Sequence, residues 1–425
     1  MKIAANDPQL KSWIPVEAGS DFPIQNLPFG IFQYDGRSPR VGVAIGAFVV
    51  DVYALQVAGF LDGFDLTESM LQNAYLNDLM RVGKIKMRAL RERISELLRD
   101  SNTDLQEYQE VHGGILYPMT DVRMCMPVLP GDYTDFYSSI VHATNVGSMF
   151  RPDNPLMPNW KHLPVGYHGR SSSMLVSGVP FHRPMGQTIV KDGDNPTFGP
   201  TKQLDFELEM AFITFDGKPL GQRISTAEAD DYIFGMVIFN DWSARDIQRW
   251  EYVPLGPFLS KNFASSVSPW VVTLDALEPF RMAGDKQEPE VLPYLQFTGE
   301  KHLDIHLTVS ITTPDAEPFI VCESNYKNMY WTMEQQLAHQ TVNGCNVRAG
   351  DMYASGTISA PHPNGYGSLL ELTWRGTKPI SLPNGQTRSF IEDGDIVTIQ
   401  AWSEKNGVRI GFGEVTAQVL PAVPF

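Results

Sequence analysis

The spacing of apolar and polar residues changes along the chain, and the changes divide it. Near the start, Ile31-Phe32-Gln33-Tyr34 runs into Asp35-Gly36, a pair that tolerates positive φ, and an apolar stretch follows from Val41 to Val50. Phe29 to Val52 is therefore predicted as strands around a hairpin, a small β-barrel unit. From about Asn77 to Arg99 the period becomes helical. Met87, Leu90, Ile94, Leu97 and Leu98 recur at three- and four-residue steps, with Arg88, Arg91, Glu92 and Arg99 between them. This predicts an amphipathic helix with a solvated basic face. Asp100-Ser101-Asn102 ends it, the stretch to Leu116 reads as a linker, and a domain boundary falls near residue 120.

Beyond that boundary, short apolar runs alternate with Gly, Pro, Asn and Asp: Ile233 to Phe239, Trp270 to Leu274, Leu303 to Ile311 and Leu369 to Trp374. Ile396 to Trp402 and Val408 to Phe412 flank Asn406-Gly407, a second hairpin signal. One further helix is expected from Met329 to Gln340, before an Asn343-Gly344 turn. The 35 glycines and 31 prolines suit strands and turns better than helices. The reading is a mainly β (α+β) chain, with residues 1–120 as a small N-terminal domain plus helical linker and 121–425 as a β-rich C-terminal domain.

Composition narrows the function. A 43% hydrophobic chain of 425 residues can bury a large core. The net charge of −16, with no clustered Lys/Arg block, argues against nucleic acid as a partner, and an anionic substrate would need local cations to capture it. Cys125, Cys322 and Cys345 form neither a disulfide framework nor a metal pair. The Met1-Lys2-Ile3-Ala4 start lacks a signal-peptide apolar core, and no run approaches the roughly 18 apolar residues of a membrane span, so a cytoplasmic protein with no membrane partner is expected.

The chemistry concentrates in three segments. In Leu204-Asp205-Phe206-Glu207-Leu208-Glu209-Met210, strict alternation predicts a strand with Asp205, Glu207 and Glu209 on one face and Phe206, Leu208 and Met210 toward the core. Like charges about 7 Å apart repel, which suggests that a cation arrives from outside; an exposed edge strand is the bland alternative. Asp132 to Ser139 is dense in polar groups, with His142 close behind, and the buried-strand pattern Ile233 to Phe239 opens onto Asn240-Asp241-Trp242-Ser243-Ala244-Arg245. All-oxygen ligation by Asp and Glu selects Ca²⁺ or Mg²⁺ over zinc. GxSxG, HExxH, GxxxxGK and GxGxxG are all missing.

These segments also carry a resemblance. DYTDFYSSIVHATNVGSMFR (Asp132 to Arg151), PNWKHLPVGYHGR (Pro158 to Arg170), Leu204 to Phe212, NDWSARDIQRWEYVPLGPFLSK (Asn240 to Lys261), VNGCNV (Val342 to Val347), ASGTIS (Ala354 to Ser359) and LLELTWRGT (Leu369 to Thr377) resemble the fumarylacetoacetase family over nearly the whole chain. The resemblance implies an SH3-like N-terminal β-barrel and a mixed β-sandwich/roll C-terminal domain. It also implies a homodimer and metal-dependent hydrolysis of the C–C bond of a dicarboxylate β-diketone. Asp135, Glu207, Glu209 and Asp241 match the family's Ca²⁺ ligands, and a Mg²⁺-type site near Asp241 would use Lys261 and Ser265, in part through backbone oxygen. Ser265 stands where the family pattern has Thr, and keeps the hydroxyl. His142 matches the general base and Glu371 the carboxylate that orients it. Arg245, Gln248 and Lys261 match the oxyanion site, and Tyr137, Arg151, Tyr167, Tyr252 and Thr357 match substrate contacts. Other enzymes of the superfamily, such as an acylpyruvate hydrolase or an oxaloacetate decarboxylase, are the nearest alternative, but typically lack the long N-terminal domain. A catalytically dead cation-binding scaffold would be free to lose His142, Glu371, Arg245 and Lys261, and all are present.

Overall fold

A computed structural model describes residues 3–190, 193, 195–314 and 316–424. The N-terminal sheet is antiparallel throughout, in the order Leu116–Pro118, Phe48–Asp51, Arg40–Ile45, Phe29–Tyr34, Val122–Cys125. Asp35 and Gly36 carry the hairpin with φ of 47° and 68°, as their residue types favour. The apolar stretch Val41 to Val50 is two strands rather than one, because Gly46 turns the chain at φ 54°.

The helical period resolves into Asn77–Met80 and Lys84–Leu98, with Gly83 at φ 83° between them. Met87, Leu90, Ile94, Leu97 and Leu98 are buried as the spacing requires. The basic face departs from expectation. Arg91 is buried, its Nε donating to the Asn26 carbonyl (3.0 Å) and its Nη2 to Asn6 Oδ1 (2.9 Å). Arg88 forms a forked pair with Asp275 at 2.6 and 2.7 Å, across to the C-terminal domain. The supposed linker contains the helix Asp104–His112, which buries only Leu105 and so shows little periodicity.

The central element is an eight-stranded sheet. Its main path runs Gly166–His168, Tyr133–Phe136, Met352–Ala354, Leu208–Thr214, Ile233–Asp241, Ser265–Val267, Met174–Val176, and Val272–Thr273 pairs off Ile233–Asp241. A five-stranded sheet follows the order Phe319–Asn325, His306–Thr312, Ile396–Lys405, Val408–Leu420, Phe181–His182. Asn406 and Gly407 close its longest hairpin, both at positive φ. Leu208, Met210, Phe212 and Ile238 share one core with Val309, Ile399 and Phe412 of the second sheet. Ala211, Ile213, Val237 and Phe239 face the other way, into a core shared with Val43, Leu90 and Ile94 of the N-terminal region. Each large side chain buried this way contributes about 1.5–3 kcal/mol.

The central sheet is thus covered on both faces, which rules out the exposed edge strand as the setting of the acidic residues. Leu208–Thr214 is buried at every position, and the preceding residues form a separate short strand, Leu204–Asp205, paired with Ser243–Ala244. Alternation could not reveal this, since covering elements come from distant sequence. Leu369 to Trp374 is also not a strand. Ser368 caps the short helix Leu369–Leu372, its Oγ accepting from the Glu371 amide. The remaining predicted helix spans Met333–Thr341, started by a capping box of Thr332 and Gln335.

Candidate active site and metal centre

Strand order brings the acidic residues together. Asp135 lies beside Ala354 in a parallel pair, and Ala354 lies opposite Ala211, two residues after Glu209. Glu209 pairs with Phe239, two residues before Asp241. Two-residue steps keep these side chains on one face. Asp135, Glu207, Glu209 and Asp241 therefore converge, each offering a carboxylate oxygen within 4.8 Å of the others, and all four are buried. Unit charges that close repel by roughly 3–4 kcal/mol per pair at an effective dielectric of about 20.

The ionisation of the cluster reflects this crowding. Burial, reinforced by Asp241, holds Asp135 well above the ordinary carboxylate range, and burial with Asp135 and Glu207 does the same to Glu209. Burial also raises Asp241, against the opposing pull of Lys261. Glu207 is the exception: burial pushes it up, but Lys261, Arg245 and His142 outweigh burial and bring it to about 2. Lys261 Nζ bridges Glu207 and Asp241. An ammonium has no lone pair, so a ligand role for Lys261 can fall only to its carbonyl. Asp135 Oδ1 and Glu209 Oε1 are buried with no hydrogen-bond partner. Buried, unpartnered carboxylate oxygens in an all-oxygen donor set fit a hard divalent cation.

A second group adjoins the first. His142 sits on the helix Ile140–Phe150, whose cap Ser139 accepts from the His142 amide through Oγ (3.3 Å). His142 Nδ1 lies 2.6 Å from Glu371 Oε2. A carboxylate only accepts, so Nδ1 carries a proton, and in the neutral ring Nε2 presents its lone pair. Burial opposes the charge on Glu371, but His142, Asn145 and Ser368 together hold its carboxyl below the usual range. Asn145 Nδ2 donates to it at 2.9 Å, Ser368 Oγ at 2.9 Å, and Ser359 Oγ lies 3.0 Å from both its oxygens. The Tyr137 ring meets the His142 ring edge-on, 5.2 Å between centroids.

Cations complete the arrangement. Arg245, on the helix Arg245–Glu251, pairs through Nη1 with Glu207 Oε1 (2.7 Å) and donates through Nε to Asp205 Oδ2 (2.9 Å). Its Nη2 lies 2.8 Å from Asp205 Oδ2 but has no aligned hydrogen bond. Gln248 Oε1 accepts from Arg245 Nη1 at 3.5 Å. Ser265 Oγ donates to Asp241 Oδ1 (3.0 Å), and Tyr167 Oη to Asp241 Oδ2 (3.4 Å). Thr357 is buried beside Gly356, whose amide donates to Glu209 Oε2 at 3.0 Å. Arg151 and Tyr252 are exposed, and Arg151 makes a 3.1 Å hydrogen bond to the Pro155 carbonyl. Burial raises the Tyr137 hydroxyl above its ordinary range, with Arg245 and Arg151 pulling the other way.

Nothing in the residue pattern singles out Asn145, Ser359 or Ser368, since neutral residues that converge only on folding leave no spacing signal. Asp205, grouped by alternation with Glu207 and Glu209, is fully buried but stands outside the four-carboxylate cluster.

Two family models match the chain: "Fumarylacetoacetase N-terminal" over residues 25–127 and "Fumarylacetoacetate (FAA) hydrolase C-terminal" over 133–420. The chain belongs to the fumarylacetoacetase family. Curated fumarylacetoacetases from Homo sapiens and Caenorhabditis elegans are each 50% identical to it over 97% of its length, covering 99% and 100% of those proteins. The Dictyostelium discoideum fumarylacetoacetase is also 50% identical, over 97% of this chain and 98% of its own. Family membership makes the chain a hydrolase. Among solved structures, a fumarylacetoacetate hydrolase from Exiguobacterium antarcticum shares the fold with TM-score 0.53 at 19% identity, over 93% of this chain and 99% of that one. Among the described residues, no helix is long and apolar enough to cross a membrane.

Proposed function

We propose that the protein hydrolyses the C–C bond of 4-fumarylacetoacetate, giving fumarate and acetoacetate, the last step of tyrosine and phenylalanine breakdown. The observation that carries this reading is the juxtaposition of an oriented His142–Glu371 pair with the buried carboxylate cluster. Asp135, Glu207, Glu209 and Asp241 would hold the cation, Ca²⁺ in this reading, with a Mg²⁺-type site near Asp241 served by Ser265 and the Lys261 carbonyl. A bound ion would supply Lewis-acid polarisation of the diketone and favour its enolate character.

The chain's own groups account for the proton and charge movements. His142 Nε2 takes a proton from water as the water oxygen bonds to the carbonyl carbon that becomes the new carboxyl of fumarate. Glu371 stabilises the resulting imidazolium and fixes its tautomer. The carbonyl electron pair moves to oxygen, and the alkoxide is met by donors from Arg245, Gln248 and Lys261, each such donor worth about 3–4 kcal/mol. Collapse re-forms the carbonyl, breaks the C–C bond and leaves its electron pair on the acetoacetate carbon. The imidazolium proton is then available to that carbon. Arg151 suits one terminal carboxylate of the substrate as a forked partner, and Tyr137, Tyr167, Tyr252 and Thr357 contact the remainder. Local cations thereby answer the problem that a net charge of −16 poses for an anionic substrate.

A homodimer, which the family resemblance implies, and a cytoplasmic location are part of the same proposal. So is a boundary near residue 120 between the N-terminal and catalytic domains. The test is direct. Purified protein with Ca²⁺ or Mg²⁺ present should consume fumarylacetoacetate and release fumarate and acetoacetate in equal amounts; no turnover would end the proposal. His142→Asn should abolish turnover and keep the metal content, whereas loss of metal would make His142 a ligand or a brace.

A further inference from the structure

Of the three acidic side chains between Leu204 and Met210, Glu207 and Glu209 join the carboxylate cluster and Asp205 does not. Asp205 is nevertheless completely buried, and three donors converge on it. Its Oδ1 accepts from the Leu369 amide at 2.7 Å. Its Oδ2 accepts from the Leu370 amide and from Arg245 Nε, both at 2.9 Å. Leu369 and Leu370 immediately precede Glu371. The backbone repeats the connection, since Leu204–Asp205 pairs with Ser243–Ala244 and the Arg245 amide donates to the Gln203 carbonyl (2.9 Å). One carboxylate thus ties two segments that lie 40 and 165 residues away in sequence.

We infer that Asp205 is a positioning residue for the reaction. It holds the Arg245 guanidinium and the segment bearing Glu371 at a fixed separation, so that the donor for the alkoxide and the carboxylate that orients His142 form one rigid unit. This rests on the roles given above to Arg245 and Glu371. The chemistry requires an anion with two acceptor oxygens. Asparagine has one carbonyl oxygen: at the Oδ2 position it keeps Leu370 and Arg245 but turns its own NH₂ against the Leu369 amide, and at the Oδ1 position it keeps Leu369 alone and turns its NH₂ against Leu370 and Arg245. A shift of about 1 Å in either partner is enough to cost about 100-fold in rate.

The experiment uses the full-length, metal-loaded protein. Asp205→Asn should lower kcat about 100-fold, with KM changed less than about threefold and metal content unchanged. The deciding readout is non-additivity. In a Glu371→Gln or Arg245→Lys background, adding Asp205→Asn should cost less than about fivefold further, because residues acting as one unit cannot be lost twice. A structural brace predicts the same loss in every background, or a lowered Tm with normal kcat for the folded fraction; either result overturns the inference. Asp205→Glu keeps the charge on a longer arm and carries the same cycle should the amide variant not fold. Absence of turnover in the unaltered protein sinks the proposed function, whereas wild-type turnover beside a folded, fully active Asp205→Asn sinks this inference alone.

Discussion

Glu371→Gln tests the reaction chemistry most directly. The carboxylate is 1% exposed and receives His142 Nδ1, Asn145, Ser359 and Ser368. An amide cannot satisfy them all. With its oxygen toward His142, its NH₂ opposes the NH₂ of Asn145. With its NH₂ toward His142, Nδ1 must accept, the proton moves to Nε2, and the imidazole can no longer take one from water. Either arrangement removes the negative charge that balances the imidazolium. Charge centres roughly 4 Å apart at an effective dielectric of about 20 give about 4 kcal/mol. At about 1.4 kcal/mol per decade, that is a loss of about 10³ in kcat. The assay is steady-state release of fumarate, with KM, metal content and a thermal melt measured on the same sample. A folded, metal-replete Glu371→Gln within tenfold of wild-type kcat would refute the pairing as the source of catalysis.

Two further outcomes follow from buried ionisable groups. Without a cation, Asp135 and Glu209 titrate above their unfolded values, so their stabilising protonated forms are lost as pH rises through the folded pKa. A divalent cation offsets the exposed repulsion, so the Tm gain on adding Ca²⁺ should grow from pH 5 to pH 8, as differential melts with and without chelator would show; an equal gain at both pH values contradicts it. Away from the site, burial and Asp230 raise Glu334 from 4.5 to about 7 despite Arg281, whose Nη1 donates to Oε1 at 2.9 Å. Between those values the fold binds the extra proton, so stability falls with rising pH, by up to about 3 kcal/mol. Glu334→Gln keeps the acceptor for Arg281 and can donate to Asp230. Urea melts should find it more stable than wild type at pH 8 and indistinguishable near pH 4.5, and a variant less stable at pH 8 refutes the reasoning.

Much of the architecture was legible in local pattern. Asp35-Gly36 and Asn406-Gly407 adopt the positive φ that their residue types allow, and the three- and four-residue spacing from Met87 to Leu98 marks a buried helix face. These are short-range consequences of backbone sterics and amphipathicity. Alternation in Leu204 to Met210 drew attention to carboxylates, and the resemblance to a known family named Asp135, Asp241, His142 and Glu371 from distant segments. What pattern could not supply was burial and pairing. Whether Asp205 met water or a guanidinium, whether Arg91 lay on a surface, and whether Leu369 to Leu372 was strand or helix depended on elements up to hundreds of residues away. The sequence alone determined which groups were available and their local conformations. Only the tertiary structure decided which charges lost their water, because desolvation is set by what packs against a residue, not by its neighbours in the chain. At Asp205 that difference turns a carboxylate that alternation grouped with Glu207 and Glu209 into the link between Arg245 and the Glu371 segment.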